Sequence, residues 1–455
     1  MKSLTELLAK YDIPAPRYTS YPTVPYWSEN PTQEQWISHL RQSLQAKGQE
    51  PASWSMYIHI PFCETLCTFC GCNTIITKDH KKEIPYTEYV LKEWELYLSL
   101  LPELSKASFR HIHLGGGTPT FFSPEALQKM LKPIFAKVNI DKPEDFEASV
   151  EVDPRRTTAA QLSALREIGF NRVSMGIQDF NHEVQRLVNR IQPYEITAKL
   201  TQEARELGYQ SINYDLIYGL AKQTQTSMKQ TVEQTLQLRP DRIALYSFAL
   251  VPWIKPAQRL FKDEDLPKAA EKRELYELSR KMLLHGGYVE VGMDHFALPT
   301  DSLAKAMTNH QLHRNFMGYT NQKTEVMLGL GVSSISETPQ SFHQNEKVLP
   351  KYEESLNRGL IPTLRGHVLS EEDRARRQQI LELMTEFQVP FESSQQQDQA
   401  RNFLKEMIQD GLVEVSSSQI KVTEAGRPFL RNACMFFDER LKRKQPDARI
   451  FSQSI

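Results

Sequence analysis

The sequence predicts an α/β protein: a partial (β/α)6 barrel with an N-terminal arm and a mainly helical C-terminal domain. Six strand-like segments lie at 54–60, 110–114, 146–152, 170–177, 211–217 and 242–249. Helix-like segments at 85–100, 123–137, 159–168, 194–207 and 226–238 separate them. Strands alternating with helices argue a parallel sheet of βα units. The strands themselves alternate polar with apolar residues, whereas a sheet covered by helices on both faces reads as near-continuous Val, Ile and Leu. The glycine and cysteine motifs, finally, fall just past strand ends, where barrels place their sites.

The first strand alternates Tyr57 and His59 with Ile58 and Ile60, and the second alternates His111 and His113 with Ile112 and Leu114. In the third, Glu147, Ser149 and Glu151 alternate with Ala148, Val150 and Val152. The fourth sets Arg172, Ser174, Gly176 and Gln178 against Val173, Met175 and Ile177, and the fifth sets Asn213 and Asp215 against Ile212, Tyr214 and Leu216. Successive strand residues point to opposite faces, so one face is apolar and the other polar. A polar face inside a dry core costs free energy for every unpaired group. A curved sheet with helices outside and a wet, ligand-holding interior resolves this. An internally satisfied polar network is the competing solution. Six units make an open barrel rather than a closed one.

With 455 residues, 40% hydrophobic and 24% charged, the chain is long enough for more than one domain. The divisions expected are an arm at 1–53, the barrel at 54–290, a flank and connecting segment at 291–360, and the C-terminal domain at 361–455. A formal net charge of −1 argues against nucleic acid or acidic membranes as partners. No run of about 18 apolar residues predicts a membrane span, and the first residues carry no apolar leader. A cytoplasmic location is the expectation. In the arm, the aromatic, turn-forming stretch Arg17-Tyr18-Thr19-Ser20-Tyr21-Pro22-Thr23 reads as packed chain.

The chain has five cysteines, and Cys63, Cys67 and Cys70 fall within eight residues as C-x3-C-x2-C, with Cys72 two positions on. Thiolates are the usual ligands of iron–sulfur clusters, and a short loop can turn three sulfurs toward one cube. Three ligands leave a fourth iron open. A structural zinc site usually needs a second pair of cysteines or spaced histidines, which this stretch lacks. Disulfides suit small secreted domains better than an odd count in a long chain. Zinc and incidental cysteines remain the alternatives on spacing alone.

Gly115-Gly116-Gly117-Thr118-Pro119 follows the second strand, where glycines would let the backbone approach a ligand. Glu151, Gln178 and Asp215 end or nearly end the third, fourth and fifth strands. Singly these are turn formers or caps; on one rim they suggest hydroxyl, amino and carboxylate recognition. Arg190 could pair with a carboxylate through its planar fork, although a helix surface is its plainer explanation.

The cysteine spacing, with Phe69 before the third cysteine, resembles the signature of radical S-adenosylmethionine enzymes. The fuller string Tyr57-Ile58-His59-Ile60-Pro61-Phe62-Cys63 through Cys70-Gly71-Cys72-Asn73 resembles the oxygen-independent coproporphyrinogen III oxidase family, over nearly the whole chain. The resemblance implies one 4Fe–4S cluster on Cys63, Cys67 and Cys70, and two molecules of S-adenosylmethionine. It assigns Tyr57, Gly116, Glu151 and Ile335 to the first molecule. It assigns Phe69, Gly117, Thr118, Gln178, Arg190, Asp215 and Ala249 to the second. Tyr57 and Cys72 are the expected catalytic residues, Cys72 without ligating, since a C-x-C bite on one cube is cramped. The implied reaction turns two propionates of coproporphyrinogen III into vinyl groups through a 5′-deoxyadenosyl radical. A reductant protein such as flavodoxin or ferredoxin would supply electrons to a monomer. The rival within the superfamily is a haem-transfer protein without decarboxylase activity. The resemblance also implies that the 17–23 stretch crosses the site opening. One departure is Ala221, where relatives usually carry proline.

Between 250 and 350, Gln258-Arg259, Gly292–Ala297 and Leu312–Phe316 mix polar or cationic residues with aromatics that would suit a propionate-bearing ring. Residues 400–428 read as helix, turn and hairpin. They resemble a winged-helix module, and the neutral charge argues against a nucleic-acid role.

Overall fold

The computed structural model describes residues 2–45, 52–443 and 450–454. Residues 46–51 of the expected arm and 444–449 of the expected C-terminal domain lie outside it.

All six expected strands form: β1 (Ser53–Ile60), β2 (Ser108–Gly116), β3 (Glu147–Val152), β4 (Arg172–Gln178), β5 (Ser211–Tyr218) and β6 (Arg242–Ser247). They pair in parallel in that order. The intervening helices are Glu83–Leu100, Pro124–Phe135, Ala159–Ile168, Tyr194–Glu206 and Gln225–Leu238. Ser123, Thr158 and Thr224 cap three of them by accepting a backbone N–H three residues on.

The sheet is larger than the six units read from the sequence. The chain adds β7 (Val289–Val291), β8 (His295–Ala297), β9 (Val326–Leu330), β10 (Ile335–Glu337), β11 (Ser341–Asn345) and β12 (Thr363–Val368). The order is β12-β11-β10-β9-β1-β2-β3-β4-β5-β6-β8-β7. β9 runs parallel to β1 and extends the barrel wall beyond its first strand. The outer strands pair antiparallel at both ends. β9 was hidden because Val326-Met327-Leu328-Gly329-Leu330 is short and no helix pattern precedes it.

The expected division of faces holds. Trp54, Met56, Ile58, Ile112, Leu114, Val150, Val173, Met175, Ile212, Leu216 and Ile243 join one buried core with Val90, Trp94, Leu127, Leu131 and Leu165 of the helices. Burying each such side chain stabilises by about 1.5–3 kcal/mol. A second core joins the two ends of the chain: Leu7, Leu8, Tyr11, Tyr18 and Tyr21 pack with Ile380, Leu383, Leu412, Phe429 and Phe437. Buried Arg431 donates to the carbonyls of Pro16 and Ala15. The Tyr18 hydroxyl donates to Asp438 at 3.1 Å. The 17–23 stretch is therefore packed chain, and Arg17 reaches the barrel rim by donating to the Ser247 carbonyl at 3.0 Å. In the C-terminal segment, strands Gln388–Pro390 and Val413–Val415 flank Gln419–Val422 beside short helices. Among the described residues, no helix is long and apolar enough to cross a membrane.

β9 is locked to the barrel by a buried carboxyl. Glu93 accepts from Gly331 N (2.8 Å), the Tyr352 hydroxyl (2.6 Å) and Asn345 Nδ2 (2.6 Å). Burial pushes it from an ordinary 4.5 up to about 7 against those three donors. The folded protein thus holds this proton more tightly than the unfolded chain. The stability it contributes is full below about pH 4.5 and is lost as pH rises through about 7, a span of about 3 kcal/mol. Glu93→Gln replaces the titrating carboxyl with an amide of nearly the same shape that keeps an acceptor and carries no proton equilibrium. We expect the thermal midpoint of Glu93→Gln to rise relative to the unsubstituted protein between about pH 5 and 8. A gap that stays constant across that range contradicts the assignment.

Candidate active site

β1 leaves the barrel through Pro61, and Phe62–Cys63 pairs in parallel with Ile75–Ile76. The cysteine loop is thereby closed at its base: Ile75 N donates to Pro61 O (2.7 Å) and Thr77 N to Cys63 O (2.9 Å). The far side of the loop is held by the chain before Arg190. Thr68 N donates to Val188 O (3.1 Å), and Asn189 Nδ2 donates to Leu66 O (2.8 Å).

The glycine run lies along the same strand end. Gly117 N donates to Ile60 O (2.8 Å) and Thr118 N to Phe62 O (2.9 Å). A Cβ on Gly117 would stand 2.7 Å from the carbonyl oxygens of both Pro61 and Phe62. Gly116 has φ +115°, and a Cβ there would meet the His59 ring at 2.8 Å. These glycines are required by close approach to other parts of this chain, the His59 ring and the Pro61 and Phe62 carbonyls, rather than to a ligand.

Cys63, Cys67, Cys70 and Cys72 border one cavity of about 260 Å³. Phe69, Gly116, Gly117, Thr118, Glu151, Gln178, Arg190 and Asp215 border it too. Three expected residues do not. The Tyr57 ring sits one layer back, stacked on His113 with centroids 5.9 Å apart. Its hydroxyl bonds His59 Nδ1 at 3.0 Å, and His59 Nε2 bonds Asn73 O at 2.9 Å. Ala249 offers its carbonyl to Gln258. Ile335 is buried at the start of β10.

Glu151 accepts from Gly116 N and from His113 Nε2, both at 3.3 Å. Asp215 accepts from Ser174 Oγ (3.1 Å) and Asn213 Nδ2 (2.9 Å), and burial, with Glu151 nearby, pushes its carboxyl up to about 6. Gln178 ends β4 at φ +69° beyond a register shift, which turns its side chain.

Arg190 is buried, not on a helix surface. It donates to Gly176 O (2.7 Å) and Asp153 Oδ2 (3.2 Å) and lies 3.7 Å from the Cys67 sulfur. Asp153 also takes Arg155, which approaches Cys67 Sγ at 3.8 Å. Arg155 was not foreseen; a basic pair directly after a strand end was its only signal. Tyr246 and Ser174 also border the cavity. The rim residues expected between 250 and 350 have structural partners: Arg314 is buried over Tyr319, and His295 bonds Asp294 at 2.6 Å.

Burial raises the Cys63 thiol to about 11, and the Thr118 hydroxyl beside its sulfur works in the opposite direction. The hydrogen bond with Cys72 holds Cys70 below the ordinary thiol range. Among the described residues, no three His, Cys, Asp or Glu converge as a single-ion site. The donor set instead offers three thiols around a shared cavity, with two guanidiniums at one sulfur. That chemistry fits an iron–sulfur cluster, whose sulfurs take hydrogen bonds and whose ligands are thiolates.

The sequence model of the Radical SAM superfamily matches residues 57–235. The chain is 38% identical over 445 residues to the oxygen-independent coproporphyrinogen III oxidase of Pseudomonas aeruginosa, covering 96% of this chain and 95% of that one. It is 39% identical over 447 residues to the enzyme of the same name from Escherichia coli K12, with the same coverage. The solved Escherichia coli coproporphyrinogen III oxidase, described as a radical SAM enzyme, superposes with a TM-score of 0.88 at 38% identity, covering 96% of this chain and 99% of that one. The protein therefore belongs to the oxygen-independent coproporphyrinogen III oxidase family of radical SAM enzymes. A 4Fe–4S cluster and S-adenosylmethionine come with that family, and the thiols and the close-packed glycine run are where they would be held.

Gly117→Ala tests the close approach. Its Cβ must push the glycine run off the cysteine strand at a cost of about 1–3 kcal/mol. We expect a folded protein with unchanged far-ultraviolet circular dichroism, a lower thermal midpoint, and less iron per chain after anaerobic reconstitution. Full iron content with an unchanged midpoint would show that the contact tolerates a methyl group.

Proposed function

We propose that the protein converts two propionate side chains of coproporphyrinogen III into vinyl groups without oxygen, giving protoporphyrinogen IX for haem synthesis. The observation that carries this reading is one cavity that brings together the C-x3-C-x2-C thiols, the glycine run and Arg190. The end-to-end similarity to enzymes of that name supports the substrate. When bound, the cluster and S-adenosylmethionine supply the electron and the hydrogen-abstracting 5′-deoxyadenosyl radical.

The chain's own groups bind, orient and exclude water. Cys63, Cys67 and Cys70 hold the cluster and leave one corner for the cofactor. Two molecules of S-adenosylmethionine are bound. Gly116, Glu151, Ile335 and Tyr57 serve the first. Phe69, Gly117, Thr118, Gln178, Arg190, Asp215 and Ala249 serve the second. Support for this division comes from the rim: a carboxylate beside a backbone N–H at Glu151, and a planar cation at Arg190. Asp215, near half protonation at about pH 6, can donate or accept toward hydroxyls. Tyr57 acts through His59, which anchors the chain just after Cys72. Cys72 stays off the cluster but is needed for turnover. The protein acts as a cytoplasmic monomer and takes its electrons from a small reductant protein such as flavodoxin or ferredoxin.

Anaerobic incubation with coproporphyrinogen III, S-adenosylmethionine and dithionite should yield protoporphyrinogen IX and carbon dioxide. S-adenosylmethionine cleavage with no vinyl product would overturn the reading in favour of haem handling. Separately, serine at Cys63, Cys67 or Cys70 should abolish both bound iron and turnover. Cys72→Ser should keep its iron and lose most turnover. A Cys72→Ser protein without iron would make Cys72 a ligand.

A further inference from the structure

The segment after β6 crosses the cysteine loop, and two of its side chains hold that loop by main-chain oxygens. Gln258 sits in the short helix Pro256–Leu260 and is 2% exposed. Its Nε2 donates to Phe69 O at 3.1 Å and to Ala249 O at 3.2 Å. Its Oε1 accepts from Val251 N at 2.6 Å. Lys255 Nζ donates to Cys72 O at 2.8 Å. The two loop carbonyls taken, Phe69 and Cys72, bracket Cys70.

Gln258 lies in one of the stretches whose polar and cationic residues would suit a propionate-bearing ring. Its amide is instead committed to backbone. A carboxamide can satisfy two carbonyls and one N–H at once; a carboxylate lacks the donor, and an aliphatic chain lacks both roles. A buried amide with donor and acceptor engaged resists displacement, because moving it leaves buried groups unpaired. The bonds join two places far apart in the chain: the stretch between Cys67 and Cys70, and the exit of β6 at Ala249.

We propose that Gln258, seconded by Lys255, is a positioning residue that fixes the Cys70 end of the cysteine loop to the exit of β6. The third cluster ligand and the Ala249 backbone then move as one piece. Cofactor cleavage at the cluster is thereby kept in step with the chain leaving β6. The inference rests on the cluster reading of the three cysteines, which iron and sulfide counts on the unsubstituted protein test by themselves.

Three variants test the tie in anaerobically reconstituted full-length protein. Gln258→Glu keeps the shape but sets an acceptor against two carbonyls. Gln258→Leu removes every bond, and Lys255→Met removes the second tie. Iron per chain, the electron paramagnetic resonance spectrum of the reduced cluster with and without S-adenosylmethionine, and the ratio of 5′-deoxyadenosine to vinyl product are read for each. All three thiols remain, so iron is expected near the unsubstituted level. The spectrum with S-adenosylmethionine should broaden into a mixture. The ratio should rise severalfold for Gln258→Glu and Gln258→Leu, and less for Lys255→Met. A variant with a lower thermal midpoint but an unchanged spectrum and ratio would show a merely structural amide and overturn the proposal. Should both Gln258 variants fail to fold, Lys255→Met decides by the same readouts, and unchanged values overturn it. Unsubstituted protein that takes up no iron overturns the cluster reading and this inference with it.

Discussion

A pleated strand offers two faces, and in this sheet only one of them is dry. Everything else follows from what must be done with the other. Helices cover the face made of Met56, Ile112, Val150, Val173 and Ile212. Tyr57, His113, Ser149, Glu151 and Asp215 are thereby forced together on the inside. Deep in the barrel many of their polar groups pair with one another. His111 and His113 both bond Ser149 Oγ, at 3.2 and 2.6 Å, and Arg172 pairs with Glu147 at 2.8 Å. Burial raises Glu147, but Arg172 and Arg242 outweigh it and leave the carboxyl well below the ordinary range. Burial lowers His111 to about 4, so it is neutral beside that charge. The floor is thus a partly paired network, in which Arg172 Nε, Arg242 Nη1 and Asn213 Oδ1 are buried without a partner among the described residues. This layer borders a cavity of its own, about 150 Å³ and edged by His111, His113, Glu147 and Arg172, which shares Glu151 and Asp215 with the cavity at the C-terminal rim.

The rim is built by backbone as much as by side chains. Gly116 and Gly117 lie where a Cβ would strike a histidine ring or two carbonyl oxygens. Cysteine loop and glycine run are consequently a single layer: one cannot shift without the other. On the opposite side, Gly331 has φ +90°, and a Cβ there would come within 2.6 Å of His59 O. The strand carrying the cysteines is therefore gripped from β2 and from β9. Glu93 and Tyr86 complete the grip, the Tyr86 hydroxyl donating to His59 O at 2.6 Å.

The parts legible in the sequence are those governed by short-range rules. Period-two alternation gave the faces of five of the six strands, and clustered thiols gave the loop. Glycine runs and strand-end polar residues marked the rim. What escaped depended on distant partners. β9 reads as a short apolar piece until β1 lies beside it. Arg190 looked solvated because nothing local reveals that Asp153, 37 residues earlier, receives it. Tyr18 and Tyr21 read locally only as aromatic, turn-forming chain, and their partners lie more than 400 residues away in the C-terminal core. For Gln258 a sequence shows that an amide is polar but not that backbone already occupies it.

The charge arrangement at Cys67 shows how far the site is prepared before any cofactor arrives. Arg155 and Arg190 converge within 4 Å of one sulfur, and two buried guanidiniums side by side repel. Asp153 lies between them. Burial raises its carboxyl, while Arg190 and Arg155 more than compensate, so it stays ionised. The three groups leave one net positive charge directed at the cysteine loop. Without Asp153 the two arginines would separate toward solvent; without the arginines Asp153 would be a buried charge with no partner, the costlier fault. The triad is best understood as a holder for cations at a cysteine sulfur. Hydrogen bonds and positive charge at cluster sulfurs are among the levers by which a protein sets reduction potential. The same Arg190 guanidinium also borders the cavity. A ligand carboxylate there would meet a cation already oriented by Gly176 O and Asp153, at little further cost in side-chain entropy.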